Sequence, residues 1–169
     1  MILSGNKCVA SYDPATGNVL WTCDGIRGPK GDLAYSSPMI SEKFCVAIGG
    51  FEGPSIGFRL GAKGDLTESS RQWRLEKNPQ SIGTGIFVDG HVYRVNASAG
   101  PLVECLDAKS GEQVWRGPRG GAGWASIVMA SGLLYATNQD ATTFVFKLDP
   151  QRYEEVAQNN LDETCNATP

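Results

Sequence analysis

Two loops in this chain carry the side chains best suited to recognition chemistry. RGPKGDLAYSS runs from Arg27 to Ser37, and RGPRGGAGWAS runs from Arg116 to Ser126. Both read Arg-Gly-Pro-basic-Gly, then an aromatic residue, then a run of small residues. Arg27, Lys30, Arg116 and Arg119 would form a cationic rim for a carboxylate, a phosphate or an acidic peptide, because charged donors bind such anions strongly. Tyr35 and Trp124 would add stacking surfaces. A third loop, LEKNPQSIGTG from Leu75 to Gly85, keeps Lys77 and Pro79 but not the pattern. The plainer reading is that Gly-Pro turns the chain and water solvates the charges.

Other candidate chemistry is sparse. His91 is the only histidine. It follows Asp89-Gly90 and has no Cys, Ser or Asp motif around it, so it reads as a solvated hairpin residue rather than a triad member or metal ligand. The five cysteines, Cys8, Cys23, Cys45, Cys105 and Cys165, stand apart from one another. That spacing argues against a zinc site or a dense disulfide framework, and for small buried hydrophobes. EGPSIG, from Glu52 to Gly57, holds a serine without the nucleophile-elbow pattern, and no HExxH or phosphate-binding loop occurs. Asn138 and Asp140 belong to no recognisable ligand set. No catalytic residue, metal site or cofactor is assigned.

Composition narrows the partners. The chain has 169 residues, 41% hydrophobic and 20% charged, which suits one ordinary domain with a sizeable core. A net charge of -3 gives no reason to expect nucleic acid or an anionic membrane surface. No apolar run approaches the roughly 20 residues of a membrane helix. MILSGNKCVASYD lacks the basic and apolar regions of a signal peptide. The 21 glycines are scattered, which points to many turns.

The elements that would position the loops are repeated. SYDPATGNVLW (Ser11 to Trp21) and CLDAKSGEQVW (Cys105 to Trp115) both place Asp third, Gly seventh and Trp eleventh. Trp73 stands 42 residues before Trp115 and 52 after Trp21. The longer step is accounted for by the polar stretch GAKGDLTESSR (Gly61 to Arg71). Asp89-Gly90 and Ser131-Gly132 are also 42 residues apart, and Ser41-Glu42 aligns with them. These pairs sit between apolar runs and predict hairpins. LVECL, FVFKL, IGFRL and CVASY follow, with apolar residues mostly at the first, third and fifth places, as a strand requires. Four strands in about 42 residues make the blade of a β-propeller. The predicted fold is all-β, with four-stranded antiparallel blades over about 1–33, 34–80, 81–123 and 124–169. The first is expected to be incomplete and the other three complete. The chain would begin inside one blade and stop at the threshold of another, and open blade edges would favour self-association.

The motif A-x-D-x-x-x-G-x-x-x-W resembles the tryptophan-docking repeat of the PQQ-like, or quinoprotein-like, propeller family. The matches are Asp13, Gly17 and Trp21, and Asp107, Gly111 and Trp115, with Ser11 and Cys105 at the Ala place. The unit of Trp73 keeps only that tryptophan, and KLDPQRYEEVA (Lys147 to Ala157) keeps Asp149 but has Ala157 in place of Trp. The resemblance implies that each Trp staples neighbouring blades by packing on a turn and donating to a carbonyl. It implies a non-catalytic binding or scaffolding module, with a protein or small-ligand partner on one face, similar to the propeller lipoproteins of outer-membrane protein assembly. The parent would be exported or periplasmic. A second reading is a piece of a dehydrogenase that binds pyrroloquinoline quinone and calcium. Such enzymes carry vicinal cysteines and a Glu-Asn-Asp calcium set, which are not recognisable here. A third is the sensor domain of a larger signalling chain.

Overall fold

The computed structural model describes residues 1–5, 7–28, 30 and 33–169, and among them there is no helix. The strands are β1 (Ile2–Ser4), β2 (Cys8–Tyr12), β3 (Val19–Asp24), β4 (Met39–Ile40), β5 (Phe44–Ile48), β6 (Ser55–Arg59), β7 (Gly64–Asp65) and β8 (Arg71–Leu75). They continue with β9 (Ile86–Val88), β10 (His91–Val95), β11 (Val103–Asp107), β12 (Gln113–Arg116), β13 (Val128–Ala130), β14 (Leu133–Thr137), β15 (Thr142–Lys147) and β16 (Glu155–Asn160).

These strands form four sheets, ordered β1-β2-β3-β7, β4-β5-β6-β8, β9-β10-β11-β12 and β13-β14-β15-β16. The architecture is that of a small β-propeller. Each adjacent pair of sheets encloses one apolar core. Val9, Trp21, Cys23, Ile56, Phe58 and Leu66 lie between the first and second. Met39, Phe44, Val46, Val92 and Leu106 lie between the second and third. Tyr93, Trp115, Leu134, Phe144 and Phe146 lie between the third and fourth. Cys23, Cys45 and Cys105 are buried within these cores, and all five cysteines are free thiols. Burial pushes the Cys23 and Cys105 thiols up to about 12.

Turn chemistry follows the sequence closely. Asp89-Gly90 and Ser131-Gly132 both have positive φ at both residues, the geometry of a two-residue hairpin turn whose twist matches the strands. The turn at Ser41 differs. It spans Ser41 to Lys43, and the Ser41 hydroxyl accepts from the Phe44 amide at 3.1 Å.

The first sheet departs from an all-antiparallel blade. β1, β2 and β3 are antiparallel, but its fourth strand, β7, pairs parallel to β3 through Trp21–Gly64 and Thr22–Asp65. β7 lies inside the Gly61–Arg71 stretch, so the extra residues of the second unit cross to the first sheet. Leu66 is fully buried there, and its amide donates to Thr22 O at 2.8 Å. Arg71 Nη1 and Arg74 Nε donate to the carbonyls of Asp24 and Gly25, at 2.9 and 2.8 Å.

All four units carry the turn aspartate, eight residues before the Trp position. Asp13, Asp65, Asp107 and Asp149 each accept from the amide two residues on, at 2.7 to 2.9 Å. Asp65 corrects the reading that its unit keeps only Trp73. Insertion had moved the turn away from the strand end, and the eight-residue spacing still marked it.

The tryptophans act across sheets. Trp73 Nε1 donates to Ala108 O at 2.8 Å, and Trp115 Nε1 donates to Asp149 O at 3.0 Å. Trp21 meets Phe58 edge-on at 5.5 Å, and Trp115 meets Phe146 at 6.3 Å. Gly111 is where the Trp73 ring lies close enough that an added Cβ would stand 2.8 Å from it. Directly across the strand pair from each Trp is a small residue: Ser11, Gly57 or Cys105. In the fourth sheet the sizes are exchanged, with Val145 opposite Ala157.

Candidate functional site

The first Arg-Gly-Pro loop follows β3, whose outer edge carries β7, and the second follows β12, the outermost strand of the third sheet; they lead in sequence to β4 and β13, the edge strands of the next sheets. The second acts as a strap across the end of the third sheet. The Gly117 amide donates to Val103 O and Pro118 O accepts from Leu102, at 2.7 and 2.9 Å. The Gly123 amide reaches Asn96 O at 2.9 Å, and Ile127 reaches Thr84 O at 3.1 Å. Along the inner rim, the Ser37 amide donates to the Thr84 hydroxyl and the Ser126 amide to the Thr168 hydroxyl, at 3.0 and 3.1 Å. Of the first loop, Pro29, Gly31 and Asp32 lie outside the described residues.

This bracing orients the aromatic residues. Gly123 and Ala125 are buried on either side of Trp124, so the Trp124 side chain turns outward and is 42% exposed. Tyr35 is equally exposed, and its ring meets Phe51 edge-on at 5.9 Å. Phe51 was missed by sequence reasoning. It occupies the tip of the β5–β6 connection with Glu52, both at positive φ, 49° and 58°. Bulky residues in that region cost roughly 1–3 kcal/mol each, and such strain gathers at functional sites. The signal in the sequence was a hydrophobic residue inside the glycine-rich run GGFEG.

The cations divide into two groups. Arg27 and Lys30 are exposed on the first loop. Arg116 and Arg119 line one cleft with Ala99, Gly100, Pro101 and Gly121, with a volume of about 550 Å³. The wall opposite the arginines is held by Asn96, which is buried. Its side chain donates to Pro101 O at 3.1 Å and accepts from the Ser98 amide at 2.8 Å.

Beneath this cleft lies a charged group that the sequence reading did not anticipate. Arg94 and Glu104 are 3% and 1% exposed. Arg94 donates through Nε and Nη2 to Glu104 Oε2, at 3.0 and 2.7 Å. Arg116 Nε approaches the other oxygen, Oε1, at 3.2 Å. Arg94 also reaches Asn78 Oδ1 at 3.4 Å. The sequence signal was Glu104 at the centre of LVECL, the one charge at a place where the other strands carry apolar side chains.

A larger groove, about 660 Å³, opens at the opposite end of the sheets, among Ser41, Phe44, Phe87 and Gly90. Its lining mixes Glu42 and Asp89 with Lys43, Arg59 and Lys109, so opposite charges offset one another. Among the described residues that line the smaller cleft, the charged ones are Arg116 and Arg119. His91 lies at the groove's end of the molecule, with its Nδ1 3.0 Å from Asp89 O. Among the described residues no three His, Cys, Asp or Glu side chains are grouped as metal ligands. No helix among the described residues is long and apolar enough to cross a membrane.

Comparison with known proteins places this geometry. The PQQ_2 family, described as outer membrane protein assembly factor BamB, matches residues 1–117. Comparison with curated proteins gives no match. The crystal structure of BamB from Moraxella catarrhalis superposes with a TM-score of 0.68 at 16% identity, over 95% of this chain and 45% of that one. A europium-containing methanol dehydrogenase gives 0.65 at 11% identity, over 92% and 38%. The computationally designed Ika4 protein gives 0.63 at 13% identity, over 90% and 86%. This chain therefore spans less than half the length of the BamB and dehydrogenase chains. At these identities the likeness concerns the fold.

Proposed function

This chain belongs to the PQQ_2 family, and we propose that it works as a non-catalytic scaffold that holds a protein partner on the loop face of its sheets. The observation that carries this reading is the set of exposed aromatics on that face. Tyr35, Phe51 and Trp124 are 42%, 44% and 42% exposed, although each sits on a loop hydrogen-bonded to the sheet ends. Rigid, half-exposed aromatic rings are the usual anchors of protein interfaces, because they bury much area for little lost entropy. The family description supports a partner from outer-membrane protein assembly and a parent protein exported to the periplasm.

The dehydrogenase reading asks for residues that fit a quinone and calcium. The five cysteines are isolated, no three His, Cys, Asp or Glu side chains are grouped among the described residues, and this chain spans 38% of the dehydrogenase it resembles, so that reading is carried by the likeness in fold alone.

Photo-crosslinking residues placed at positions 35, 51 and 124 test the proposal in the expressing cell. A covalent adduct with a discrete protein is expected from these sites and not from position 151 at the opposite end. Equal labelling from all four positions would sink the idea. So would dye reduction with an alcohol or aldose that depends on added quinone and calcium.

A further inference from the structure

We infer that the cleft between Arg116 and Arg119 binds a carboxylate group borne by a partner polypeptide. This rests on the scaffold reading and names the chemistry of one contact.

The cleft region carries more positive than negative charge. Glu104 is buried and its two oxygens are both engaged, one by Arg94 and one by Arg116. Arg119 makes no ion pair among the described residues. Asp140 approaches the cleft at Gly121, where an added Cβ would stand 3.9 Å from its carboxylate. Three guanidinium groups thus face two carboxylates, and one positive charge is left over at the cleft.

The excess is held in place. Arg116 sits in register with Glu104 on the neighbouring strand, and Glu104 is in turn opposite Arg94. Arg116 is therefore anchored at Nε while its side chain remains 54% exposed. Its terminal nitrogens are oriented without being consumed, which is how a fork-shaped donor is prepared for a planar anion. Arg119 is fixed at the backbone by its bridge to Pro101, on the cleft's facing wall. Glu104 acts here as a positioning residue. Its burial costs desolvation that a well-packed apolar side chain would avoid, and the return is an arginine aimed at the cleft.

The test is a titration of isotope-labelled protein with succinate at constant ionic strength, read by NMR. Saturable shifts are expected at the amides of Gly100 and Gly121 and at the Nε–H groups of Arg116 and Arg119. R119Q, a change at an exposed side chain, should weaken binding at least tenfold. K109Q, at the opposite end of the sheets, should leave it unchanged. R116K should weaken it at least fivefold, because lysine keeps the charge but loses the fork. Shifts that grow without saturation, or R119Q binding like the parent, would overturn the site. Inorganic phosphate binding tenfold more tightly than succinate would overturn the carboxylate assignment. Because no partner protein is present, the cleft can fail here while crosslinking from positions 35, 51 and 124 still succeeds, and the reverse.

Discussion

The third and fourth sheets use the same cross-strand row for opposite chemistry. In the third, Arg94, Glu104 and Arg116 stand side by side on β10, β11 and β12. In the fourth, the corresponding residues are Ala136, Phe144 and Gln158. Both rows face the preceding sheet. Phe144 fills its interface by area removed from water. Glu104 fills its own by being neutralised from two sides, at a desolvation cost that apolar packing does not carry. The propeller therefore accepts either solution at this position. The charged one earns its place through what it does for Arg116 rather than through stability.

The largest effect expected follows from that difference. Glu104→Gln leaves Arg94 buried without its counter-charge and should lose about 3–5 kcal/mol in urea unfolding. Copying the fourth sheet's row into the third, as R94A with E104F and R116Q, should restore stability or raise it by about 1–4 kcal/mol. The same triple variant should lose succinate binding. A triple variant no more stable than Glu104→Gln would mean that the two rows are not interchangeable.

The staples at the two interfaces should differ in the same sense. Trp115 packs against Tyr93, Phe146 and Tyr153, with centroids 5.8, 6.3 and 5.8 Å away. Trp115→Ala should cost about 3–5 kcal/mol. Trp73 is half-buried, and among the described residues its ring has no aromatic partner, so Trp73→Ala should cost less by the same measurement. Equal costs would mean that the indole hydrogen bond, and not ring packing, dominates both.

Much of this was legible in the sequence, because the repeat is written in residues that answer to backbone geometry. Asp89-Gly90 and Ser131-Gly132 announced their hairpins, and the repeat motif announced the turns of Asp13, Asp107 and Asp149 but not that of Asp65. What escaped was what depends on neighbours in space. β7 is only Gly64 and Asp65, too short for any alternating pattern, and takes its identity from the edge of β3. Glu104 looked like an imperfection in an alternating strand until Arg94 and Arg116 were seen beside it. The loop echo singled out Tyr35 and Trp124 as a pair, and both are half-exposed in the structure. It could not show that Arg116 and Arg119 share a cleft from which the first loop's cations are absent.

A smaller effect concerns the residue beneath each Trp. Gly57 lies across from Trp73 so closely that an added Cβ would meet the indole at 2.2 Å. Gly57→Ala should cost about 1–3 kcal/mol through overpacking. Cys105→Ala, in the matching place under Trp115, removes only a sulfur and should cost less. A neutral Gly57→Ala would show that the second sheet can shift its tryptophan freely, which would set it apart from the third.

The smallest effect is a dependence on pH at the turn that receives Trp73. Burial tends to raise the Asp107 carboxyl, but the Ser110 amide and hydroxyl and the Lys109 amide outweigh it and hold the group below the usual carboxylate range. A carboxylate depressed on folding contributes stability that is complete above its unfolded value, near 3.9, and disappears as pH falls through its folded value. Asp107→Asn keeps an acceptor but no charge, so it should lose on the order of 1 kcal/mol near neutral pH. The gap between the two proteins should then close as pH falls below about 4. Asp13 and Asp65 are lowered in the same way, by the amide of Ala15 and by the hydroxyl and amide of Thr67. Their contributions likewise fade as pH falls below the ordinary carboxylate range. Asp107 anchors the turn whose Ala108 carbonyl accepts the Trp73 indole. Acid should therefore loosen Trp73, read by its fluorescence, before it releases Trp115, and simultaneous release would show that the two interfaces respond alike despite their different rows.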